Sequence, residues 1–214
     1  QVRHPVVVRR LRHRSGSHGN LDGRERLSMV LDDDDLKAVG HAVYLSQADG
    51  VVVITGTRSA GGSAKYELWA FNAADGNELW HVVQPDNVRM TGHGEHEQHP
   101  AVIGGRIYTN PLAYELKTGA QVAGWRWQPG GHGCGTISAS MGCIFNRGGQ
   151  PVATDIKTGV LKGLTDVTRP GCWINIIPAG GLVLMPESSS QCGCAYAVQT
   201  SLALAPARGL GGKH

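Results

Sequence analysis

Along most of the chain, short apolar runs alternate with glycine-rich bends, a pattern that predicts strands rather than helices. VVVITG (51–56), AVIGGRIYTN (101–110) and TISASMGCIFNRGG (136–149) are the clearest runs. Short stretches rich in β-branched and aromatic residues, bounded by Gly, Pro, Asn or Asp, fit a pleated and partly buried surface. The fullest example is YELWAFNAADGNELW (66–80). Tyr66, Leu68 and Ala70 alternate with other residues, as a half-buried strand requires. Asp75-Gly76 makes a turn, and Asn77 to Trp80 starts a second extended run, so a β-hairpin closed by an aromatic residue is predicted.

The hairpin recurs. WAFNAADGNELW (69–80) is matched by AYELKTGAQVAGW (113–125) and again by ATDIKTGVLKG (153–163). The turn glycines Gly76, Gly119 and Gly159 fall 43 and 40 residues apart, which is the length of one four-stranded propeller blade. Each turn follows an apolar run and a Gly-rich bend, giving the order strand, bend, strand, turn, strand. A fourth unit is expected over INIIPAGGLVLMPE (174–187) and AYAVQTSLALAP (195–206).

On these residues the chain resembles the PQQ-binding-like, or quinoprotein-type, β-propeller repeat, with YELWAFNAADGNELW as its best copy. HGCGTISAS (132–140) and the run from Arg169 to Pro206 are similar to the C-terminal blades of large PQQ-like propeller proteins of planctomycete-type bacteria. The resemblance covers about residues 40 to 206. It implies an all-β fold, a β-propeller of quinoprotein type with about four four-stranded blades. The family closes a ring of about seven or eight blades, so the expectation is a partial ring or one closed by oligomerisation. Unpaired strand edges recruit other chains. The expected partners are therefore a second copy bound through exposed blade edges, or a missing part of a larger propeller.

Composition agrees with strands. Hydrophobic residues make up 41% of the 214 and charged residues only 17%, which excludes a wholly disordered chain. The 31 glycines follow no collagen-like period and favour many tight turns. Residues 1–26 hold seven Arg and three His, and four aspartates follow at Asp32 to Asp35. Residues 1–38 are read as a poorly ordered basic and acidic arm, 39–206 as the propeller blades and 207–214 as a flexible tail. The net charge is only +3 and the basic residues concentrate at the N-terminus, so no nucleic-acid partner is expected. Nor does any run reach the roughly 18 apolar residues of a membrane helix. The arm contains no apolar h-region of the secretory type, so it is not expected to be an intact signal peptide.

Quinoprotein dehydrogenases, as the resemblance implies, hold PQQ under a Trp platform beside a disulfide of adjacent cysteines, with Ca²⁺ on Glu, Asn and Asp. Cys192-Gly193-Cys194 is the nearest counterpart to the cysteine pair, with Trp173 as candidate platform and Glu187 and Asn175 as candidate ligands. Their spacing matches no such motif, and PQQ is not an expected cofactor. Trp69, Trp80 and Trp125 are read as residues that dock one blade on the next.

A transition metal such as Zn is the better candidate cofactor. GHGEHEQHP (92–100) places His93, His96 and His99 three residues apart in a Gly- and Pro-bounded loop, with Glu95 and Glu97 between them. Converging neutral imidazoles bind Zn²⁺ at about 2 Å. Three of them leave a position for water, whose pKa the metal lowers towards about 7, and Glu95 or Glu97 would then be the general base. His132 and Cys134 extend the candidate ligand set.

The five cysteines, Cys134, Cys143, Cys172, Cys192 and Cys194, suit two disulfides and a free thiol. That usage suits a periplasmic or extracellular protein. A thiolate metal site from His132, Cys134, Cys172, Cys192 and Cys194 is the alternative. Cys143, in the apolar strand expected over Met141 to Phe145, reads as a buried, inert thiol. Ser138 and Ser188 to Ser190 lack the G-x-S-x-G frame of a serine hydrolase, and the glycines at 130–135 open no helix on which a phosphate would sit. Arg169, close to Cys172, is a candidate for lowering that thiol's pKa.

Three functional readings follow. The first is a ligand- or protein-binding propeller module, part of a larger exported protein, without catalysis of its own. The second is a metal-dependent hydrolase or oxidoreductase using His93, His96 and His99. The third is a remnant PQQ-dependent dehydrogenase.

Overall fold

A computed structural model describes residues 7–8, 29–30, 43–60, 63–89, 99–127, 133–171, 173, 176–187 and 198–206. Every regular element among them is a β-strand. No helix of the described residues is long and apolar enough to cross a membrane. Within the stretch expected to be an arm, β1 (Val7–Val8) pairs antiparallel with β2 (Met29–Val30).

From Tyr44 onward, the strands form four antiparallel sheets in which sequence neighbours are sheet neighbours. The first sheet runs β3 (Tyr44–Ala48), β4 (Val51–Ala60), β5 (Ser63–Asn72) and β6 (Glu78–Val83). The short β7 (Val88–Arg89) pairs with β5 at Ser63 and Ala64, beyond the point where β6 ends, so β6 and β7 together form one interrupted edge. The second sheet holds β8 (Ala101–Ile103), β9 (Arg106–Tyr108) and β10 (Ala113–Glu115). The third holds β11 (Ser138–Ala139), β12 (Cys143–Gly148), β13 (Gln150–Asp155) and β14 (Leu161–Gly163). The fourth holds β15 (Ile177–Ala179), β16 (Leu182–Met185) and β17 (Leu202–Leu204).

Local sequence explains the hairpins. The type I′ two-residue turn, which matches strand twist, needs positive φ at both centres, which Asp-Gly and Gly-Gly supply. Asp49-Gly50 (φ 47 and 77), Gly104-Gly105 (59 and 75) and Gly180-Gly181 (58 and 77) close the first hairpins of the first, second and fourth sheets. The predicted turn at Gly76, Gly119 and Gly159 recurs in one geometry. Each glycine has φ of 69 to 80, and each donates its N–H to the carbonyl four residues back, on Asn72, Glu115 and Asp155 at 2.8 to 2.9 Å. Those three residues in turn donate to the carbonyls of Asn77, Ala120 and Val160.

The sheets pack face on face in chain order. Val51, Val53, Tyr66, Leu68, Ala70 and Trp80 of the first meet Ile107, Tyr114 and Leu116 of the second. Tyr108 and Ala113 of the second, with Trp125 and Trp127, meet Ile144 of the third. Phe145 of the third meets Met185 of the fourth, with Val183, Leu202 and Leu204 around it. Each large side chain buried in this way contributes about 1.5–3 kcal/mol. The first strands also touch in order, β3 against β8, β8 against β11 and β11 against β15. A hydrogen bond from the Ser138 hydroxyl to the Ile176 carbonyl ties the last pair together.

Polar ties lie between the sheets as well. Gln84, fully buried, donates from Nε2 to the Asn110 carbonyl at 2.9 Å, while its Oε1 accepts from the Thr109 hydroxyl at 2.7 Å. Trp80 donates from Nε1 to the Leu116 carbonyl at 3.0 Å, and Trp127 from Nε1 to the Thr154 hydroxyl at 3.1 Å.

Several expectations need correction. The strand at Tyr66 is not half-buried: residues 66 to 71 are buried on both faces, because Glu67, Trp69 and Phe71 are covered as well. Four strands do not form in every unit. After Gly119, among the described residues, the second sheet gains only the single bridge between Tyr114 and Gln121, because the chain turns away at Ala123-Gly124. The fourth sheet has three strands among the described residues. The strand expected from Met141 begins at Cys143, since Met141 and Gly142 form an exposed bend that closes β11 onto β12.

Candidate functional site

Of the expected metal ligands, the structure describes His99 and Cys134. His93, His96, Glu95, Glu97 and His132 lie outside the described residues, as do Cys172, Cys192, Cys194 and Asn175. His99 directly precedes Pro100 and β8, and it sits where β8 passes β3. Its Nδ1 is 2.7 Å from the Pro100 carbonyl, which can only accept, so Nδ1 is the donor, and in the neutral ring Nε2 is then the acceptor. The Ser46 hydroxyl lies 3.4 Å from that Nε2, and the ring meets Tyr44 edge-on at 4.8 Å. Alternation along β3 explains the pair: Tyr44 and Ser46, two residues apart, present the same face, and both are half-buried.

A backbone carbonyl on one ring nitrogen is the usual second-sphere device that orients a metal-binding imidazole. His99 makes the same Nδ1 contact, while its Nε2 lies beside the Ser46 hydroxyl. Cys134 is placed against a different sheet. It follows Gly133, whose missing side chain lets the backbone approach the carbonyl of Arg147 on β12. Among the described residues, no three His, Cys, Asp or Glu side chains form a group that could hold a metal ion.

A second constellation was not anticipated from the sequence. Glu67, at 0% exposure on β5, takes the Arg58 guanidinium in a two-point grip, Nη2 to Oε1 at 2.7 Å and Nε to Oε2 at 2.9 Å. Its Oε1 also lies 2.9 Å from Nε2 of His81. The His81 ring stacks on Trp69, its direct partner across β5 and β6, with centroids 4.9 Å apart and planes within 8°. Sheet register assembles this group. Glu67 faces Gly56 on β4, which leaves room for Arg58 to reach diagonally, and His81 approaches from two residues along β6. A carboxylate inside the otherwise apolar run YELWAF was the available signal.

The remaining candidates are dispersed. Arg169 is almost fully buried and donates from Nη1 to the Pro170 carbonyl at 3.1 Å. Trp173 is about half exposed, with φ of 62, a conformation rare for a bulky residue. Cys143 has a free thiol that burial, and secondarily Asp155, pushes above its ordinary pKa, against a smaller opposing effect of Lys162. Trp80 and Trp125 do lie between sheets, as blade-docking residues should. Trp69 instead lies on the opposite face of the first sheet, against His81.

No family model and no curated protein matches the chain.

Proposed function

We propose that the chain is a quinoprotein-type propeller module that works by binding a ligand or another protein surface. The observation that carries this reading is the contact of successive first strands, β3 to β8 to β11 to β15, as the innermost strands of propeller blades meet around an axis. The shared turn at Gly76, Gly119 and Gly159 supports it, as does the docking of Trp80 on the following unit. Binding, rather than chemistry, is favoured by the exposed apolar residues of the fourth sheet, Ile177 and Leu182. A crystal structure tests the arrangement. Four sheets set around one axis with those strands innermost are expected, and sheets stacked without a common axis would overturn it.

A second reading rests on His99, whose Nδ1–H is held by the Pro100 carbonyl, which leaves Nε2, beside the Ser46 hydroxyl, as the ring atom that would take a metal. His93, His96 and His99 would hold a transition metal such as Zn, and Glu95 or Glu97 would act as general base in hydrolysis. Elemental analysis of untagged protein decides it. About one equivalent of metal, lost when the three histidines are changed to Ala, supports this reading, and metal-free wild-type protein rejects it.

A further inference from the structure

We propose that the outer face of the fourth sheet is a self-association surface, on which two copies of this chain pack sheet against sheet about a twofold axis. The inference rests on the binding-module reading and names its partner. Register fixes the surface: Ile177 pairs with Leu184, Ala179 with Leu182, and Leu184 with Ala203, so these five residues share one face. Val183, Met185, Leu202 and Leu204 point the other way, into the contact with Phe145 of the third sheet. The shared face stays open to solvent, with Ile177 42% and Leu182 39% exposed. Leu184, Pro186, Ser201 and Ala203 also border a groove of about 350 Å³ along β16 and β17.

The composition of this face selects its occupant. None of β15, β16 and β17 (IPA, LVLM and LAL) carries a charge. A twofold contact sets each patch against itself, so any charge would meet its own sign, and an uncharged face avoids that cost. Such a face also offers nothing to select a highly charged partner. The first three sheets already show how these meanders associate, each laying an apolar face on the next, and the outer face of the fourth sheet continues that series. At the other end of the series, the outer face of the first sheet buries Ile54 and Trp69 but leaves Leu45 and Val83 open beside the charged group of Arg58, Glu67 and His81. Head-to-tail docking there would set the uncharged face of a fourth sheet against Arg58 and His81 and strip them of water, which favours the face-to-face pair.

Sedimentation equilibrium on the full chain tests the proposal, with an Ile177→Lys, Leu182→Lys double variant and a Leu161→Lys control on exposed β14. The wild type and the control should both show twice the 22.7 kDa chain mass. The double variant should sediment as a monomer, its self-association weakened by at least about 100-fold. Wild type that stays monomeric at every concentration overturns the proposal. So does mass that grows without limit, which signals a head-to-tail contact, and so does a double variant that still dimerises. Hydrogen exchange of the wild type keeps the test independent of the variant's folding: amides of 177–185 and 202–204 should gain protection as concentration rises, and unchanged exchange there overturns the dimer. A monomer whose crystal structure keeps the axial arrangement removes the dimer alone. A structure without that arrangement removes the propeller reading instead.

Discussion

Gly119 and Trp80 are in contact so close that a Cβ on Gly119 would lie 2.7 Å from Cδ2 of the indole. The turn glycine of the second sheet is thus the floor on which the tryptophan of the first sheet rests. Its φ of 69 meets the separate need of the turn itself. Gly159 makes the same turn, at φ of 70, but a Cβ there would come no nearer than 3.8 Å to the Arg126 carbonyl. The pair separates backbone strain from packing. Gly159→Ala should cost about 1 kcal/mol, the strain alone, and Gly119→Ala about 2–4 kcal/mol, because overpacking adds to it. Urea unfolding of the two variants measures the difference, and equal losses would show that the contact with Trp80 carries no energy.

Glu67 should be the most costly polar residue to alter in the first sheet. Glu67→Gln keeps the shape but replaces one acceptor oxygen with an amide that faces Arg58 or His81. Breaking a buried ion pair costs about 3–5 kcal/mol. Arg58 and His81 remain partly open to water, so about 2–3 kcal/mol is expected here. His81→Ala, which leaves the Arg58 grip intact, should cost about 1 kcal/mol. Denaturant midpoints of both variants check the ranking, and a neutral Glu67→Gln would mean that the pair only satisfies itself.

Asp155 gives the third-sheet turn an acid dependence. The Thr158 backbone N–H, at 2.8 Å, and then its hydroxyl, at 3.0 Å, hold the carboxylate below its ordinary pKa, with a further bond from the Lys157 N–H. A carboxyl group whose pKa is lowered by folding contributes stability that is present above its unfolded value and is lost as pH falls through the folded value. Thr158→Val keeps the larger backbone contribution and removes the hydroxyl, so the Asp155 pKa should rise part of the way back. An NMR titration of the Asp155 side chain reads the shift, and an unchanged pKa would show that the hydroxyl contributes nothing.

How far the sequence revealed this structure depended on whether a feature was local. The Gly-rich bend at Gly104-Gly105 and the turns at Gly76, Gly119 and Gly159 were readable because left-handed backbone demands glycine, and that demand is met within a few residues. Trp80 and Trp125 were readable as docking residues because the turn spacing announced units that must stack. The Glu67 group was not, since it depends on which residues of β4 and β6 fall opposite β5, a register set across the sheet. Gln84 escaped for the same reason, as its partners Thr109 and Asn110 are 25 and 26 residues away. The single bridge at Gln121 shows the opposite limit. There the repeat pattern predicted a full fourth strand, and the turn at Ala123-Gly124 ends it. Of the candidate metal ligands, local pattern singled out His99, but the Ser46 and Tyr44 contacts that orient its ring come from β3, more than fifty residues earlier.

Cys143 should be a slow thiol. Burial is the largest cause of its raised pKa, so little thiolate is present near neutral pH, and the thiolate is the reactive form. Peptide-resolved alkylation of folded protein near pH 8 should modify Cys143 more slowly than in unfolded chain. Asp155 adds to the rise and Lys162 opposes it, which gives the prediction a sign at two further positions. Asp155→Asn should speed alkylation and Lys162→Ala should slow it, with the fold monitored in parallel by tryptophan fluorescence. If Cys143 reacted as fast as in the unfolded chain, the packing of β12 against the fourth sheet would have to be looser than the contacts around Phe145 and Met185 imply.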